Sequence, residues 1–436
     1  MDQAFVQAMQ VGYALDEPAL VLGGPMLAGE VVTQAHVQLA LSMVNRHGLI
    51  AGATGTGKTR SLQLLAGQLS DAGVPVFISD IKGDVTGIAV PGNAADARIQ
   101  ARAASLGLPY VPRGHPVEFL SLSGQLGAPV RSTLHSFGPL LLAKVLQLND
   151  TQTSVLMLVF RYCDDSQLPL LDLADLRTTL QYLGSDVGKV GLAQYGGMSV
   201  ATLGVLLRAL VMLETSGAAR FFGEPEFDVT DLLRTTPDGR GIVSVLELSD
   251  VMDQPQLFST FMLWMLAQLY HVLPEVGDLP KPRLAFFFDE AHLLFENASK
   301  PLLDQIELTA RLIRSKGVGV YFSTQAPTDV PDAVLAQLGN RVQHALRAFT
   351  PNDADALRKA ARTFPTSSFY PQVDQVITSL GIGEALVTVL SPKGVPTPLA
   401  ATRIEAPDSS MAALEGATLQ GLLAAGSLRA KYGTPV

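Results

Sequence analysis

The stretch Gly52-Ala53-Thr54-Gly55-Thr56-Gly57-Lys58-Thr59 decides how the rest of this chain is read. It satisfies in full the pattern of a phosphate-binding loop: a glycine, four variable residues, then Gly-Lys-Thr. An apolar run, Gly48 to Ala53, leads into it. A helical pattern carrying Leu62, Leu65 and Leu69 leads out, with Gly73 where a C-terminal cap belongs. In a strand–loop–helix setting, glycines let backbone N–H groups close around a β-phosphate, and the helix N-terminus adds the positive end of its dipole. Lys58 is then expected to reach the β- and γ-phosphates of ATP, and the Thr59 hydroxyl to ligate Mg²⁺. The candidate nucleotide-binding set is Gly52, Ala53, Thr54, Gly55, Thr56, Gly57, Lys58, Thr59 and Arg60. A glycine turn that binds nothing is the bland alternative.

Working outward from the loop, short apolar runs bounded by turn residues recur as strand candidates. They are Val74 to Asp80, Val117 to Leu122, Gly241 to Leu248, Arg283 to Asp289, Val318 to Thr324, Val342 to Phe349 and Ala385 to Leu390. Helical patterns separate several of them, and that alternation predicts an α/β fold: a mostly parallel sheet with helices on both faces. The segment 130–234 reads differently, with little strand signal. Leu141, Val145 and Leu148 share one helical face, as do Leu173, Leu176, Leu180 and Leu183, with Asp172 placed to cap the second helix. The expected organisation is a short N-terminal segment over 1–45, a core over 46–129 and 235–405, and a helical insertion over 130–234. A linker and an amphipathic stretch carrying Leu414, Leu422, Leu423 and Leu428 fill 406–436. That last stretch either packs on its own chain or docks on a neighbouring subunit.

Composition bounds the answer. Hydrophobic residues at 47% against 16% charged exclude a disordered chain. The 31 basic and 40 acidic residues leave a formal charge of −9, which argues against a wholly basic nucleic-acid surface but not against a local basic channel. One cysteine, Cys163, excludes an internal disulfide and any thiolate zinc site. The first ten residues lack the basic-then-apolar order of a secretory signal. The most membrane-like run, Leu257 to Leu273 around the only tryptophan, Trp264, is broken by Ser259, Thr260, Gln268 and His271, so a buried helix is expected. A soluble cytoplasmic protein, with no membrane partner, follows as the expectation.

Four further constellations carry chemistry. Leu284-Ala285-Phe286-Phe287-Phe288-Asp289-Glu290 is an apolar strand ending in two carboxylates: Asp289 is the candidate Mg²⁺ ligand, partly through water, and Glu290 the candidate base for the attacking water. Val318 to Phe322 runs into Ser323-Thr324-Gln325, where Gln325 is the candidate sensor of the γ-phosphate and a polar turn before Pro327 the alternative. Asp80, closing the strand after the loop's helix, either supports the Mg²⁺ shell or caps a turn. Arg46, just before the first core strand, and Arg314, before the sensor strand, are candidates for the positive charge that phosphoryl transfer needs, although surface arginines are usually only solvated. Arg98, Arg102, Lys189 and Lys393 are read as loop residues, each more simply a solvated charge than a channel contact.

The segments Arg46 through Thr59, Asp80-Ile81-Lys82-Gly83-Asp84, Leu148-Asn149-Asp150-Thr151-Gln152, Phe288 through Phe295 and Arg314 through Gln325 together resemble the HerA/FtsK branch of the RecA-like P-loop ATPases (ASCE type), nearest to a YjgR-type HerA-like family. The resemblance runs from about Leu22 to Arg403. It implies a homo-hexameric ring with nucleotide at subunit interfaces, an inserted helical subdomain and a central channel for DNA. It assigns a trans-acting arginine to Arg46 and a second catalytic arginine to Arg314. Two departures matter: about 45 residues before the core strand are too few for the N-terminal β-barrel that docks a nuclease in HerA proper, and the membrane segments and DNA-reading module of FtsK have no counterpart. The expected activity is Mg²⁺-dependent ATP hydrolysis by a motor that translocates or remodels DNA. The alternative is an ATPase acting on a protein partner.

Overall fold

The strand-forming runs are apolar at successive positions, and the sheet they build is covered on both faces. The computed structural model describes residues 2–296, 298 and 300–434. Its strands are β1 (Ala19–Leu27), β2 (Glu30–Val31), β3 (Val37–Ala40), β4 (Gly48–Ala51), β5 (Val76–Asp80), β6 (Val117–Ser121), β7 (Ala128–Pro129), β8 (Val243–Glu247), β9 (Leu284–Phe288), β10 (Val318–Thr324), β11 (Asn340–His344), β12 (Glu384–Thr388) and β13 (Ala400–Ile404). They form one sheet in the order β2-β1-β13-β12-β11-β4-β10-β9-β5-β8-β6-β7, with β3 also paired to β1. Every pair from β11 to β7 is parallel. Every pair from β11 through β12, β13 and β1 to β2 and β3 is antiparallel.

β9 shows why the central strands lack alternation. Leu284, Phe286 and Phe288 enter one apolar core, Ala285 and Phe287 the core on the other face. Phe286 stacks on Phe77 of β5 at 4.2 Å, and Phe287 on Tyr321 of β10 at 5.0 Å. A strand buried on both sides has no polar face to show. The helix Lys58–Asp71 covers one face through Leu62, Leu65 and Leu69, with Gly73 at φ 73° just past its end. The opposite face carries the helix Pro255–Val272, in which Trp264 is 1% exposed and donates Nε1–H to Ser136 Oγ at 3.0 Å. Among the described residues, no helix is long and apolar enough to cross a membrane.

Between β7 and β8 the chain is helical. Asn149 with Gln152 and Asp172 with Asp175 close capping boxes, and Leu173, Leu176, Leu180 and Leu183 are all buried. Arg98 and Arg102 lie in the helix Ala97–Leu106 and Lys189 in the helix Gly188–Ala193, not in loops, because Asp96 caps the former and Gly107 ends it. The C-terminal helices Gly416–Ala425 and Ser427–Tyr432 pack on their own chain: Leu423, Leu428 and Tyr432 are buried, and Glu118 accepts from Ser427 N and Leu428 N.

Strands before Gly48 and after Leu390 have no clear sequence signal. Gly23, Gly24 and Pro25 interrupt β1, and β13 opens Ala-Ala; neither has the β-branched density that marks a strand locally. They form because each pairs with the other, Gly23 opposite Ile404 and Met26 opposite Ala401. β11 starts and ends earlier than its apolar run, since Ala345 O turns to accept Ala53 N–H of the loop at 2.8 Å.

Candidate functional site

Because β4, β10, β9 and β5 are adjacent and parallel, the residues that follow them converge on one edge of the sheet. After β4 the loop turns through Gly52 at φ 157°, Gly55 at 77° and Gly57 at 118°, conformations that L side chains rarely adopt. A Cβ on Gly52 would stand 2.5 Å from His344 Cβ. Buried His344 bridges Ser61 Oγ (2.9 Å) and Glu384 O (2.9 Å), locking the first turn of the loop's helix to β11 and β12, and burial pushes its imidazole down to about 4. Lys58 folds back over the loop and donates from Nζ to Gly52 O at 2.6 Å and Ala53 O at 3.3 Å. Burial lowers the Lys58 ammonium, with Glu290 and Asp289 opposing that shift. Thr59 is half-buried in the same turn.

Asp289, 6% exposed, follows β9 directly. Its N–H donates to Ser79 Oγ at 2.9 Å, and its Oδ1 accepts from Ser323 Oγ at 3.0 Å. Burial first, and then the Glu290 charge, push its carboxyl up to about 6. Glu290 sits at φ 47°, a left-handed conformation that costs a glutamate about 1 kcal/mol. Lys82 Nζ holds Glu290 Oε1 at 2.8 Å, and His292 Nδ1 lies 3.4 Å from Oε2. Burial works to raise the Glu290 carboxyl, but the Lys82 ammonium outweighs it and keeps the group below its ordinary value. The pair is therefore divided: Asp289 is the harder of the two to ionise, Glu290 the easier.

Gln325 is exposed just past β10 on the same edge. Asp80 caps a turn: its Oδ1 accepts from Gly83 N (2.8 Å) and Asp84 N (3.2 Å), and its Oδ2 from Val85 N (2.8 Å). Arg60 donates to Gln63 Oε1 at 3.0 Å and to Asp84 O at 3.4 Å, beside Gly57 and Ser61. Arg46 and Arg314 are not in this group. Both lie at the opposite edge, before β4 and β10, where their Nη2 atoms approach the same Asp278 Oδ1 at 3.5 and 3.9 Å. Five residues, four of them the strand β4, separate Arg46 from Gly52, a span of at most roughly 20 Å.

Three contributors carried no expectation of their own: Ser79, Ser323 and the Lys82 ammonium. The only sequence signal for the serines is a polar residue at the carboxyl end of an otherwise apolar strand, as in Val76-Phe77-Ile78-Ser79 and Val320-Tyr321-Phe322-Ser323.

A parallel sheet in this order, with a glycine loop after β4 beside an acidic pair after β9, defines the RecA-like P-loop NTPase fold. Within that class the chain belongs to the Helicase HerA-like C-terminal family, whose model matches residues 26–436. No curated protein matches. Solved structures with the same fold include the plasmid coupling protein TrwB in complex with ADP and Mg²⁺, 15% identical over 91% of this chain and 98% of that one, at a TM-score of 0.56. TrwB with a non-hydrolysable ATP analogue is 15% identical over 92% and 98%, at 0.57. VirB4 of Thermoanaerobacter pseudethanolicus is 16% identical over 90% and 98%, at 0.55.

Proposed function

We propose that the chain is a Mg²⁺-dependent ATP hydrolase that works as a cytoplasmic homo-hexameric ring, translocating or remodelling DNA. The observation that carries the ring is the placement of Arg46 and Arg314 at the edge opposite their own phosphate loop. With Arg46 up to roughly 20 Å from Gly52 and Arg314 beside it at Asp278, neither would reach a phosphate bound by its own loop, which leaves the loop of a neighbouring copy as the one each would serve. The residues around Asp289 fit Mg²⁺: the buried Asp289 carboxylate, with the Glu290 carboxylate next to it and the Thr59 hydroxyl in the first turn of the loop's helix, offers the oxygen donors that a hard divalent cation takes. Mg²⁺ would be held by Thr59 and by Asp289, in part through water, and would neutralise charge on the β- and γ-phosphates. TrwB, which shares the fold, holds ADP and Mg²⁺.

In this mechanism the loop amides and Lys58 hold the phosphates. Glu290, kept ionised by Lys82, orients and deprotonates the attacking water. Gln325 senses the γ-phosphate, and Arg46 and Arg314 of the adjacent subunit stabilise the charge on the transferring group. The lone cysteine, buried and free, suits a reducing compartment.

A second reading, an ATPase that acts on a protein partner, is favoured by the formal charge of −9. Steady-state ATP turnover with and without single- and double-stranded DNA, at low and moderate salt, separates the two. Stimulation that fades with salt supports the DNA motor. Robust turnover indifferent to DNA refutes it in favour of the protein-directed motor, and no turnover above the Glu290→Gln blank refutes both.

A further inference from the structure

A second group of metal-ligating side chains stands away from the phosphate loop, at the other end of the helix that follows it. Asp71, His115 and Asp408 come from three distant stretches: the end of the helix Lys58–Asp71, the segment leading into β6, and the strap that follows β13. One donor atom of each lies within 4.8 Å of the other two. The His115 side chain is fully buried, while those of Asp71 and Asp408 are 26% and 31% exposed, so the group opens to solvent on the carboxylate side.

The imidazole is satisfied at one nitrogen and not at the other. Its Nε2 bonds Asp408 Oδ1 at 2.9 Å; an ionised carboxylate only accepts, so the proton sits on Nε2 and the Nδ1 lone pair is free. Nδ1 lies 3.6 Å from Asp71 Oδ1, too far for a hydrogen bond, and both atoms are buried without a partner. Two donors each about 2.1 Å from a tetrahedral zinc stand roughly 3.4 Å apart, so the gap has the width of one shared ion.

The surroundings hold this arrangement. Gly92 N and Arg113 N both donate to Asp408 O at 2.9 Å, and His115 N donates to Ile88 O at 3.0 Å. Gly67, inside a helix where glycine is unfavourable, makes room for the ring: a Cβ there would lie 2.7 Å from His115 Nε2. Arg113 Nη1 donates to Asp71 Oδ2 at 2.7 Å and leaves Oδ1 to the imidazole side. Asp71 also ends its helix, where the carbonyl-rich terminus is already negative and favours a cation.

We infer that Asp71 and His115 bind a borderline divalent cation of the Zn²⁺ class, through Oδ1 and Nδ1, with Asp408 fixing the imidazole and water completing the shell. An imidazole beside a carboxylate suits Zn²⁺ and not Mg²⁺, which takes oxygen donors. Through Asp408 the ion ties the strap to the far end of the loop's helix, and its binding is independent of the nucleotide reading.

The test is calorimetric titration of the full chain, stripped with EDTA and free of nucleotide, by ZnCl₂. Wild type is expected to bind about one equivalent, and Asp71→Asn, His115→Gln and Asp408→Ala each to weaken it about tenfold or more. Asp71→Asn, at a partly exposed position, decides the matter if the buried His115 variant does not fold. Asp289→Asn is expected to keep the site, which separates it from the carboxylates beside the phosphate loop. No binding by wild type overturns the site and leaves His115 an imidazolium shared by two aspartates. Unchanged affinity in both Asp71→Asn and Asp408→Ala overturns it too, as does loss of binding in Asp289→Asn alone.

Discussion

Replacing Lys82 by methionine removes the group that holds Glu290 ionised while leaving its backbone turn in place. Burial then acts on Glu290 with weaker opposition, from His292 and Lys58 alone, and its carboxyl rises. A charge-assisted hydrogen bond at 2.8 Å contributes on the order of 1.5–3 kcal/mol when shielded from water. The Lys82 side chain is 47% exposed, so solvent screening reduces that to about 1 kcal/mol. One pKa unit is about 1.4 kcal/mol, so the shift is roughly 0.7 of a unit upward. Glu290 must be ionised to take a proton from water, and activity is lost as pH falls through its pKa. In Lys82→Met that acid limb moves to higher pH by roughly 0.7 of a unit, and Lys82→Arg moves it back. The assay is ATP turnover at saturating Mg²⁺–ATP from pH 5 to 9, with ADP affinity measured alongside. An acid limb that stays in place in Lys82→Met, at unchanged ADP affinity, refutes the assignment of Glu290 as the base tuned by Lys82.

Arg46→Ala is expected to lose turnover, and mixing it with Lys58→Ala protein to restore part of it, since a mixed ring contains interfaces with an intact loop facing an intact arginine; no recovery in verified mixed rings refutes action in trans. Glu247 at the end of β8 is buried with Oε1 unpartnered, and burial together with Asp80 pushes its carboxyl up to about 9. Its folded value lies above the unfolded one, so its contribution to stability is intact below about pH 4.5 and is lost as pH rises toward 9. Glu247→Gln therefore melts about 2–4 °C higher than wild type at pH 8 and no higher at pH 4, as thermal scans will read.

The glycine loop and the Asp289–Glu290 pair were legible because each is contiguous, and each lies next to an apolar strand that announces its own end. The parallel centre of the sheet was legible for a related reason: strands buried on both faces are short unbroken apolar runs. Ser79 and Ser323 were not, since an isolated serine has no period; only the alignment of β5, β9 and β10 brings both to Asp289. The meeting of Arg46, Asp278 and Arg314 is likewise a product of topology, made by residues from three distant stretches of chain. The antiparallel border was the least legible part, because β1 and β13 are held by each other more than by local preference.

That border has a consequence for how the protein is made. β1 is synthesised long before the partner on its inner edge, Ala400–Ile404. Until Ala400–Ile404 emerges, β1 and its hairpin partners present a row of unpaired N–H and C=O groups, and β12 does the same on its outer edge. Such edges are templates for association with other chains. Pairing across almost the whole chain also makes closure slow, since loop-closure entropy must be overcome before the contact rewards it. A truncation before residue 400 exposes two strand edges at once, those of β1 and β12, and is expected to aggregate, as light scattering of the purified fragment would read.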